Sequence, residues 1–400
     1  MKDQSAKWKK TFLIIWSGQA FSLLGSSAAQ FAIIWWLTLQ TGSPAVLAFA
    51  GMAGLLPHAI IGPFAGVWVD RLSRKTVMIV ADLFVAAGGA VLMVAFYAGV
   101  PHTWLIYIIL FLRSVGSVFH YLAIQAAMPM LVPTSELTKT GGWSQFLQSG
   151  SLMLGPVLGT FIMTVISLPF VMLVDIAGAV IAAVTVAMVK IPDPEPDRNR
   201  TTNILSEMLD GLKLINENKP LKAITVPMML AMLIYIPVGS FFPLMVNVHF
   251  GGTAWHASII EFVFAGGLLV SSLILGVWGG LENKFLMINL ALCSLGAALA
   301  GAGALPPSAF IAFVPLSAIM GMTGSFLNVP YTAYVQSTVP PASLGRVLSI
   351  LSSMMTLAMP VGLFFAGPIA ENVGIANWFL ASGILIVITA LLGYLMTRRY

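Results

Sequence analysis

The sequence is poor in charge and has almost no cysteine. Lys, Arg, Asp and Glu together make up 8% of the 400 residues, whereas 58% are hydrophobic and the mean hydropathy is +0.95. Soluble domains carry about 25% charged residues, so this chain has too little polar surface for a water-soluble globule. The single cysteine, Cys293, excludes an intrachain disulfide and a cysteine metal site.

Apolar runs long enough to cross a bilayer, at about 20 residues each, fill the chain. They predict an all-α polytopic membrane protein with twelve transmembrane helices in two pseudo-symmetric six-helix bundles. The first run continues to Leu39, which is too long for a signal peptide, so we expect an uncleaved first helix. The predicted spans are 11–39, 44–69, 76–98, 103–127, 143–165, 168–190, 222–246, 257–280, 285–304, 308–330, 344–366 and 374–396.

Basic residues are confined to one side of this topology. Every Lys and Arg except Arg113 falls in the termini, in alternate loops between the spans, or within three residues of the span ends that border those loops. Because such residues stay in the cytoplasm, both termini are predicted to be cytoplasmic, in a multi-pass protein of the cytoplasmic membrane. The pI of 9.3 then reflects orientation and contact with anionic lipid, and no nucleic-acid partner is expected.

A polar stretch at 191–221 is predicted to be a cytoplasmic linker between an N-terminal bundle at 1–190 and a C-terminal bundle at 222–400. Its alternating prolines exclude a helix at the start. Residues 204–215 then place apolar side chains on one helical face, which predicts an amphipathic helix on the inner leaflet. A solvated connecting helix is the alternative.

The two halves repeat short segments at nearly equal offsets. The segment that begins at Gly66 is matched by one that begins at Gly276, and the segment at Leu131 by one at Thr338. Both pairs occupy equivalent positions of a six-plus-six topology. The pattern indicates duplication, an architecture in which transporters hold substrate near the bilayer midplane between the halves.

The loop after the second span contains Gly66, Asp70, Arg71, Arg74 and Lys75. This spacing resembles the signature of the major facilitator superfamily. The resemblance implies that Gly66 permits close helix approach and that Asp70 sits near a helix N-terminus of the other half, where the dipole favours a carboxylate. It also implies that the basic residues pair with acids, in a gate that latches the outward-open state. Ordinary cytoplasmic basic residues are the alternative.

The fifth span contains Gly150, Gly155, Pro156 and Gly159. This pattern resembles a superfamily motif found mainly in exporters. Glycine lets helices approach closely, and proline leaves a kink. The motif favours drug/proton antiport over sugar uptake.

Four ionisable residues lie within the spans: Asp82, Arg113, Asp175 and Glu261. Each costs roughly 2.5–3.5 kcal/mol on insertion scales if left in lipid, so they should face a cavity or pair with one another. A buried carboxyl group can hold a proton and release it when a cationic substrate arrives. The resemblance implies that the eighth predicted span, 257–280, lines the cavity, which makes Glu261 the first candidate for proton coupling. It places Arg113 where the family has an arginine associated with proton transfer. Structural hydrogen bonds or an ion pair are the alternative for all four.

Polar side chains in the spans are candidates for contact with substrate, with hydrogen bonding between helices as the alternative. His58 could titrate near neutral pH or act as a packing residue beside Pro57. The candidates are Gln19, Ser22, Ser26 and Gln30 in the first span, His58 in the second, Gln145 and Gln148 in the fifth, and Asn328 in the tenth.

Within the superfamily the chain resembles the bacterial macrolide efflux proteins of the drug/proton antiporter group. The likeness extends from Trp16–Gln19 through Phe111–Arg113 to Asn377–Leu380. It implies proton-driven export of bulky, weakly basic amphiphiles such as macrolides. We expect a monomer that needs no cofactor besides the proton gradient and is not an enzyme.

Two alternatives to drug export stay open. Another exported cargo, such as a siderophore or a lysophospholipid, would give a similar sequence. A membrane-embedded enzyme is disfavoured, because the five histidines show no metal-ligand spacing of the HExxH kind.

Overall fold

The computed structural model describes residues 2–133, 136–191, 213, 215–339 and 341–399, and the regular elements of these residues are all helical. A five-residue π-helix, Met245–His249, directly follows the helix Lys219–Leu244. Residues 204–212 of the predicted amphipathic helix lie outside the described residues. The helices are α1 Lys2–Thr41, α2 Pro44–Ile60, α3 Gly62–Arg71, α4 Arg74–Tyr97, α5 Thr103–Leu131, α6 Leu137–Val165, α7 Leu168–Ala187, α8 Lys219–Leu244, α9 Ala254–Trp278, α10 Lys284–Ala304, α11 Phe310–Thr338, α12 Pro341–Val373 and α13 Ile375–Thr397.

Eleven of the described helices are long and apolar enough to cross a membrane, and α2 is a shorter apolar helix. The prediction of an all-α, multi-pass membrane protein is confirmed. The second predicted span, 44–69, differs in detail because the helix is interrupted at Ile61 between α2 and α3. Pro63 is one of the first two residues of α3. It has no N–H to donate to the preceding turn, which favours a new helix start at this point.

The chain divides into two compact units. The first comprises Met1–Leu37 and Ala53–Arg198, and the second comprises Thr38–Met52 and Asn199–Tyr400. The segment Thr38–Met52 therefore belongs to the second unit, although the sequence division placed it in the N-terminal bundle. The segment comprises the end of α1, the connection at 42–43 and the start of α2, so both of its borders lie inside helices, where no polar linker marks them.

A carboxylate joins Thr38–Met52 to α12 within the second unit. The Oε2 atom of Glu371 accepts hydrogen bonds from Ser43 Oγ at 2.6 Å and from Ala45 N at 3.2 Å. Ala45 lies in the first turn of α2, whose free N–H groups and dipole favour a negative charge. Glu371 thus satisfies the start of α2 from the end of another helix.

Each unit is held together by close helix pairs at equivalent positions. In the first unit α4 packs against α5 and α7, and in the second α10 packs against α11 and α13. Glycine permits the closest approaches. A Cβ at Gly178 in α7 would lie 2.7 Å from the carbonyl oxygen of Phe21 in α1, and one at Gly383 in α13 would lie 2.2 Å from the backbone nitrogen of Ala300 in α10. Because lipid supplies no hydrophobic driving force between helices, their association depends on the close van der Waals packing that small residues permit.

Candidate functional site

The first unit contains a cavity of about 280 Å³ that is lined by α1, α2, α4, α5 and α6. Its wall is mixed, with polar groups concentrated on α1 and α5. The polar and ionisable lining residues are Gln19, Ser22, Ser26, His58, Asp82, Ser117, His120, Tyr121, Gln125, Ser144 and Gln148, and the apolar ones are Trp16, Leu23, Val85, Ile124, Met128 and Leu147.

Most polar residues selected from the sequence line this cavity, but three do not. Gln30 and Gln145 are exposed, and the side chain of Gln145 donates to Ser149 Oγ on its own helix. Gln145 borders a neighbouring hollow near the start of α6. Asn328 belongs to the second unit, where it is exposed and donates to the carbonyl oxygen of Gly324. Of the four residues selected on α1, Gln19, Ser22 and Ser26 line the cavity and Gln30 does not.

Asp82 and His120 face each other in the cavity. His120 Nε2 lies 3.4 Å from Asp82 Oδ1 and 3.2 Å from the amide nitrogen of Gln19. Asp82 is only 5% exposed, and its Oδ2 atom has no hydrogen-bond partner in the described part of the chain. A carboxylate, an imidazole and an amide on α4, α5 and α1 thus form one polar cluster that can gain or lose protons.

His120 was not among the residues predicted from the sequence, where it was considered only for metal-ligand spacing. A usable signal was present in α5. Arg113 and His120 are two helical turns apart and therefore lie on one face of the helix. A basic residue and a histidine on one face of a membrane helix indicate that this face is turned away from lipid.

Arg113 and Asp175 form a buried ion pair beside the cavity. Arg113 Nη1 lies 2.5 Å from Asp175 Oδ2, and Asp175 is completely buried. Ser26 Oγ donates to Asp175 Oδ1 at 2.7 Å, and Arg113 also donates to the carbonyl oxygen of Val85 at 3.3 Å. The two charges therefore neutralise each other and tie α1, α4, α5 and α7 together.

Two adjacent glycines in α4 make room for the arginine. A Cβ at Gly88 would lie 2.8 Å from Cγ of Arg113, and one at Gly89 would lie 3.0 Å from its Nη1. Any larger residue at these positions would displace the guanidinium. The absence of side chains at Gly88 and Gly89 is therefore part of the ion-pair site.

His58 lies at the cavity wall with a defined hydrogen-bond direction. Ser114 Oγ donates its one proton to the carbonyl oxygen of Gly54 at 2.6 Å. His58 Nδ1, 3.1 Å from the same Oγ, must therefore be the donor in that contact. This arrangement fixes the ring against α5.

Glu261 belongs to α9 in the second unit and so does not line the cavity described above. It is partly buried, and it makes no hydrogen bond or ion pair with any described residue. Asp82, Arg113 and Asp175 thus belong to the first unit, and Glu261, the first candidate from the sequence, belongs to the second.

Arg74 and Lys75, the first two residues of α4, bind backbone carbonyl groups of their own unit. Arg74 Nη1 donates to the carbonyl oxygen of Ala126 at 2.8 Å and also contacts the sulfur of Met130. Lys75 Nζ donates to the carbonyl oxygens of Ala187 and Val189 at 2.6 and 2.8 Å. Cations stabilise helix C-termini. This differs from the expected pairing of Arg74 and Lys75 with acids.

Gly66, Asp70 and Arg71 complete the predicted gate motif. A Cβ at Gly66 would meet no described atom within 4 Å, so the expected close approach is not observed there. The side chains of Asp70 and Arg71 lie outside what the structure describes. The predicted latch therefore stays a prediction.

The glycine motif in α6 packs this helix directly on α1. A Cβ at Gly155 would lie 2.3 Å from Cβ of Ser27, and one at Gly159 would lie 2.6 Å from the carbonyl oxygen of Ala28. Gly150 meets no described atom within 4 Å, and Pro156 lies inside the helix. Gly155 and Gly159 therefore let α6 approach α1 closely, and both helices contribute to the cavity wall.

Comparison with known proteins places these features in a family. The sequence pattern of the Major Facilitator Superfamily matches residues 15–285. Macrolide efflux protein A of Streptococcus pyogenes is 42% identical over 386 residues, which cover 96% of this chain and 95% of that protein. The multidrug efflux pump Tap of Mycolicibacterium fortuitum is 25% identical over 91% of this chain and 90% of its own length.

Solved structures share the fold at low sequence identity. A crystal structure of the nucleoside transporter NupG has a TM-score of 0.69 at 16% identity and covers 98% of this chain and 99% of that one. A bacterial homologue of the iron transporter ferroportin, in an inward-facing state, has a TM-score of 0.71 at 14% identity and covers 97% and 98%.

Proposed function

Because the chain belongs to the major facilitator superfamily, we propose that it exports amphipathic drugs, macrolide antibiotics above all, across the cytoplasmic membrane in exchange for protons. The observation that carries this proposal is the 42% identity to the Streptococcus pyogenes macrolide efflux protein A, which extends over 96% of the chain. The protein is accordingly a multi-pass membrane transporter, and its cargo is a small molecule.

The cavity of the first unit supports an amphipathic, weakly basic cargo. Apolar side chains such as Trp16 and Leu147 line it together with Asp82 and His120. Ligand sites of this kind combine an apolar wall with a few polar groups that fix orientation. A largely apolar molecule with one basic group fits that combination better than a sugar does.

The proton gradient is the proposed energy source, and no cofactor is required. Because one proton enters for each singly charged drug molecule that leaves, no net charge crosses the membrane, and the pH difference across it is the proposed driving force. Asp82 and Glu261 are the proposed proton carriers, since neither has an Arg or Lys partner among the described residues. Asp175 is already neutralised by Arg113.

Transport is proposed to proceed by alternating access in a monomer whose termini are both cytoplasmic. Protonation of a carboxyl group and binding of a cation both remove an uncompensated negative charge from the apolar interior. Either event therefore permits the conformational change, while the empty, deprotonated site opposes it. This alternation couples the two fluxes.

Proteoliposomes that contain the purified protein and no nucleotide test the proposal. A radiolabelled macrolide should accumulate when a pH gradient is imposed and should leave when an uncoupler is added. Liposomes without protein and a variant altered in an exposed loop, Glu282→Gln, are the controls. Accumulation that ignores the uncoupler would disprove proton coupling, and transport of a lysophospholipid but no macrolide would disprove the cargo.

A further inference from the structure

We propose that Asp82 and His120 together form a cation subsite of the cavity, where one proton and the single positive charge of a basic drug exclude each other. The proposal rests on the proposed function and assigns its charge exchange to a histidine–carboxylate pair of the first unit. It makes His120, which no motif identifies, a residue that contacts cargo.

One oxygen of the Asp82 carboxylate has no hydrogen-bond partner among the described residues. Asp82 Oδ1 faces His120 Nε2 at 3.4 Å, whereas Oδ2 is buried and has no hydrogen-bond partner among the described residues. A buried carboxylate oxygen without a partner loses hydration and gains nothing in return. Rotation of the Asp82 carboxylate would turn this oxygen toward the cavity that Asp82 lines, where an ammonium group could donate to it.

Gln19 lets His120 Nε2 keep a hydrogen-bond partner when the pair changes its charge. When Nε2 of His120 carries no proton, it accepts a hydrogen bond from the amide nitrogen of Gln19, which lies 3.2 Å away. When Nε2 carries a proton, it donates to Asp82 Oδ1, and rotation of the amide turns the Gln19 oxygen toward it. Both arrangements use the same three side chains.

The charges balance for a one-to-one exchange. With one proton shared between the carboxylate and the imidazole, the pair is neutral, whether that proton resides on Asp82 or on His120. Loss of this proton leaves the carboxylate ionised and the imidazole neutral, with a net charge of −1. A monocation then restores neutrality, so the cavity holds either one proton or one ammonium group.

Other ionisable groups around the cavity do not compensate Asp82. Arg113 on the same face of α5 is paired with Asp175 of α7 and bound to the carbonyl oxygen of Val85. His58 of α2 donates to Ser114 Oγ and is committed to that contact. Tyr121 of α5 lines the cavity, and the polar residues that α6 contributes are Ser144 and Gln148.

The size of the cavity limits what the subsite receives. Its volume of about 280 Å³ lies below the range of roughly 300–1,000 Å³ for pockets that enclose drug-sized ligands. A macrolide would therefore insert only its amine-bearing end, with apolar contacts from Leu23, Ile124 and Met128. The structure thus favours substrates that carry one amine on a projecting group.

Equilibrium binding to the purified full-length protein in lipid nanodiscs tests the subsite. The probe is a macrolide with one tertiary amine, and its N-oxide, which has no net charge, is the matched ligand. Because one proton competes with one cation, the Kd of the amine should rise about tenfold for each unit of pH decrease while the pair holds its proton. Binding should release one proton per drug, and the Kd of the N-oxide should not depend on pH.

Variants then locate the exchange. Asp82→Asn should abolish both proton release and the pH dependence, and His120→Gln should move the pH at which release is half complete. The exposed variants Glu282→Gln and His102→Gln should match wild type. Proton release that persists in Asp82→Asn, or an unchanged pH profile in His120→Gln, would overturn the proposal.

Two further results separate the subsite from the general function. Equal pH dependence for the amine and its N-oxide in wild type would overturn the subsite without any variant. If Glu261→Gln alone abolishes proton release, the exchange belongs to the second unit and drug efflux still stands. Wild-type protein that binds no macrolide at all would instead refute the proposed cargo.

Discussion

Disruption of the Arg113–Asp175 pair should cost far more when one partner is removed than when both are. Asp175 is completely buried and, without Arg113, would keep only the hydrogen bond from Ser26. Removal of one member of a buried pair costs about 3–5 kcal/mol, whereas apolar replacement of both is often close to neutral. We therefore expect Arg113→Met and Asp175→Leu each to destabilise by about that amount, and the double variant to be closer to wild type.

The free energy of unfolding in mixed micelles, from titration with a denaturing detergent, measures these differences. Single costs that simply add in the double variant, or a cost below about 1 kcal/mol for Arg113→Met, would refute the reasoning. Transport separates structure from coupling. A folded double variant that retains uncoupler-sensitive efflux makes the pair structural, and one that has lost only proton dependence places it on the proton path.

Three other contacts lead to predictions with matched controls. Gly155→Val should sharply reduce the yield of folded protein, because even a Cβ would lie 2.3 Å from a neighbouring side chain, whereas Gly150→Val should express normally; fluorescence-detected gel filtration measures both. Lys75→Gln should lower the melting temperature through loss of its two bonds to the end of α7, whereas Lys139→Gln, at an exposed position, should not. Glu371→Ala should accelerate hydrogen exchange in the first turn of α2, by about 0.5–2 kcal/mol of lost capping free energy, and unchanged exchange there would contradict the capping role.

The number and type of the helices could be predicted from composition and charge, because lipid imposes a length and an orientation on each span. The interruption at Ile61 could not, since the sequence offers prolines in several helices that are not interrupted. Pro156 and Pro315, for example, lie inside continuous helices. Whether proline ends a membrane helix depends on neighbours that can satisfy the freed carbonyl groups.

The candidate site was predictable one helix at a time but not between helices. Hydropathy exposed Asp82, Arg113 and Asp175 as costly residues that need partners. Which residue pairs with which depends on how the helices pack, and no spacing along the chain encodes that. The position of His120 on the same face of α5 as Arg113 could be read from the sequence, but its contact with Asp82 on another helix could not.

The buried ion pair also affects how the protein enters the membrane. Arg113 lies in α5 and its partner in α7, so synthesis delivers the cation to the bilayer two helices before the anion. Until α7 emerges from the ribosome, the arginine must rely on the glycine-lined recess of α4 and the carbonyl oxygen there. Assembly of the first unit therefore cannot be completed helix by helix, and it depends on its last helix to neutralise a charge admitted earlier.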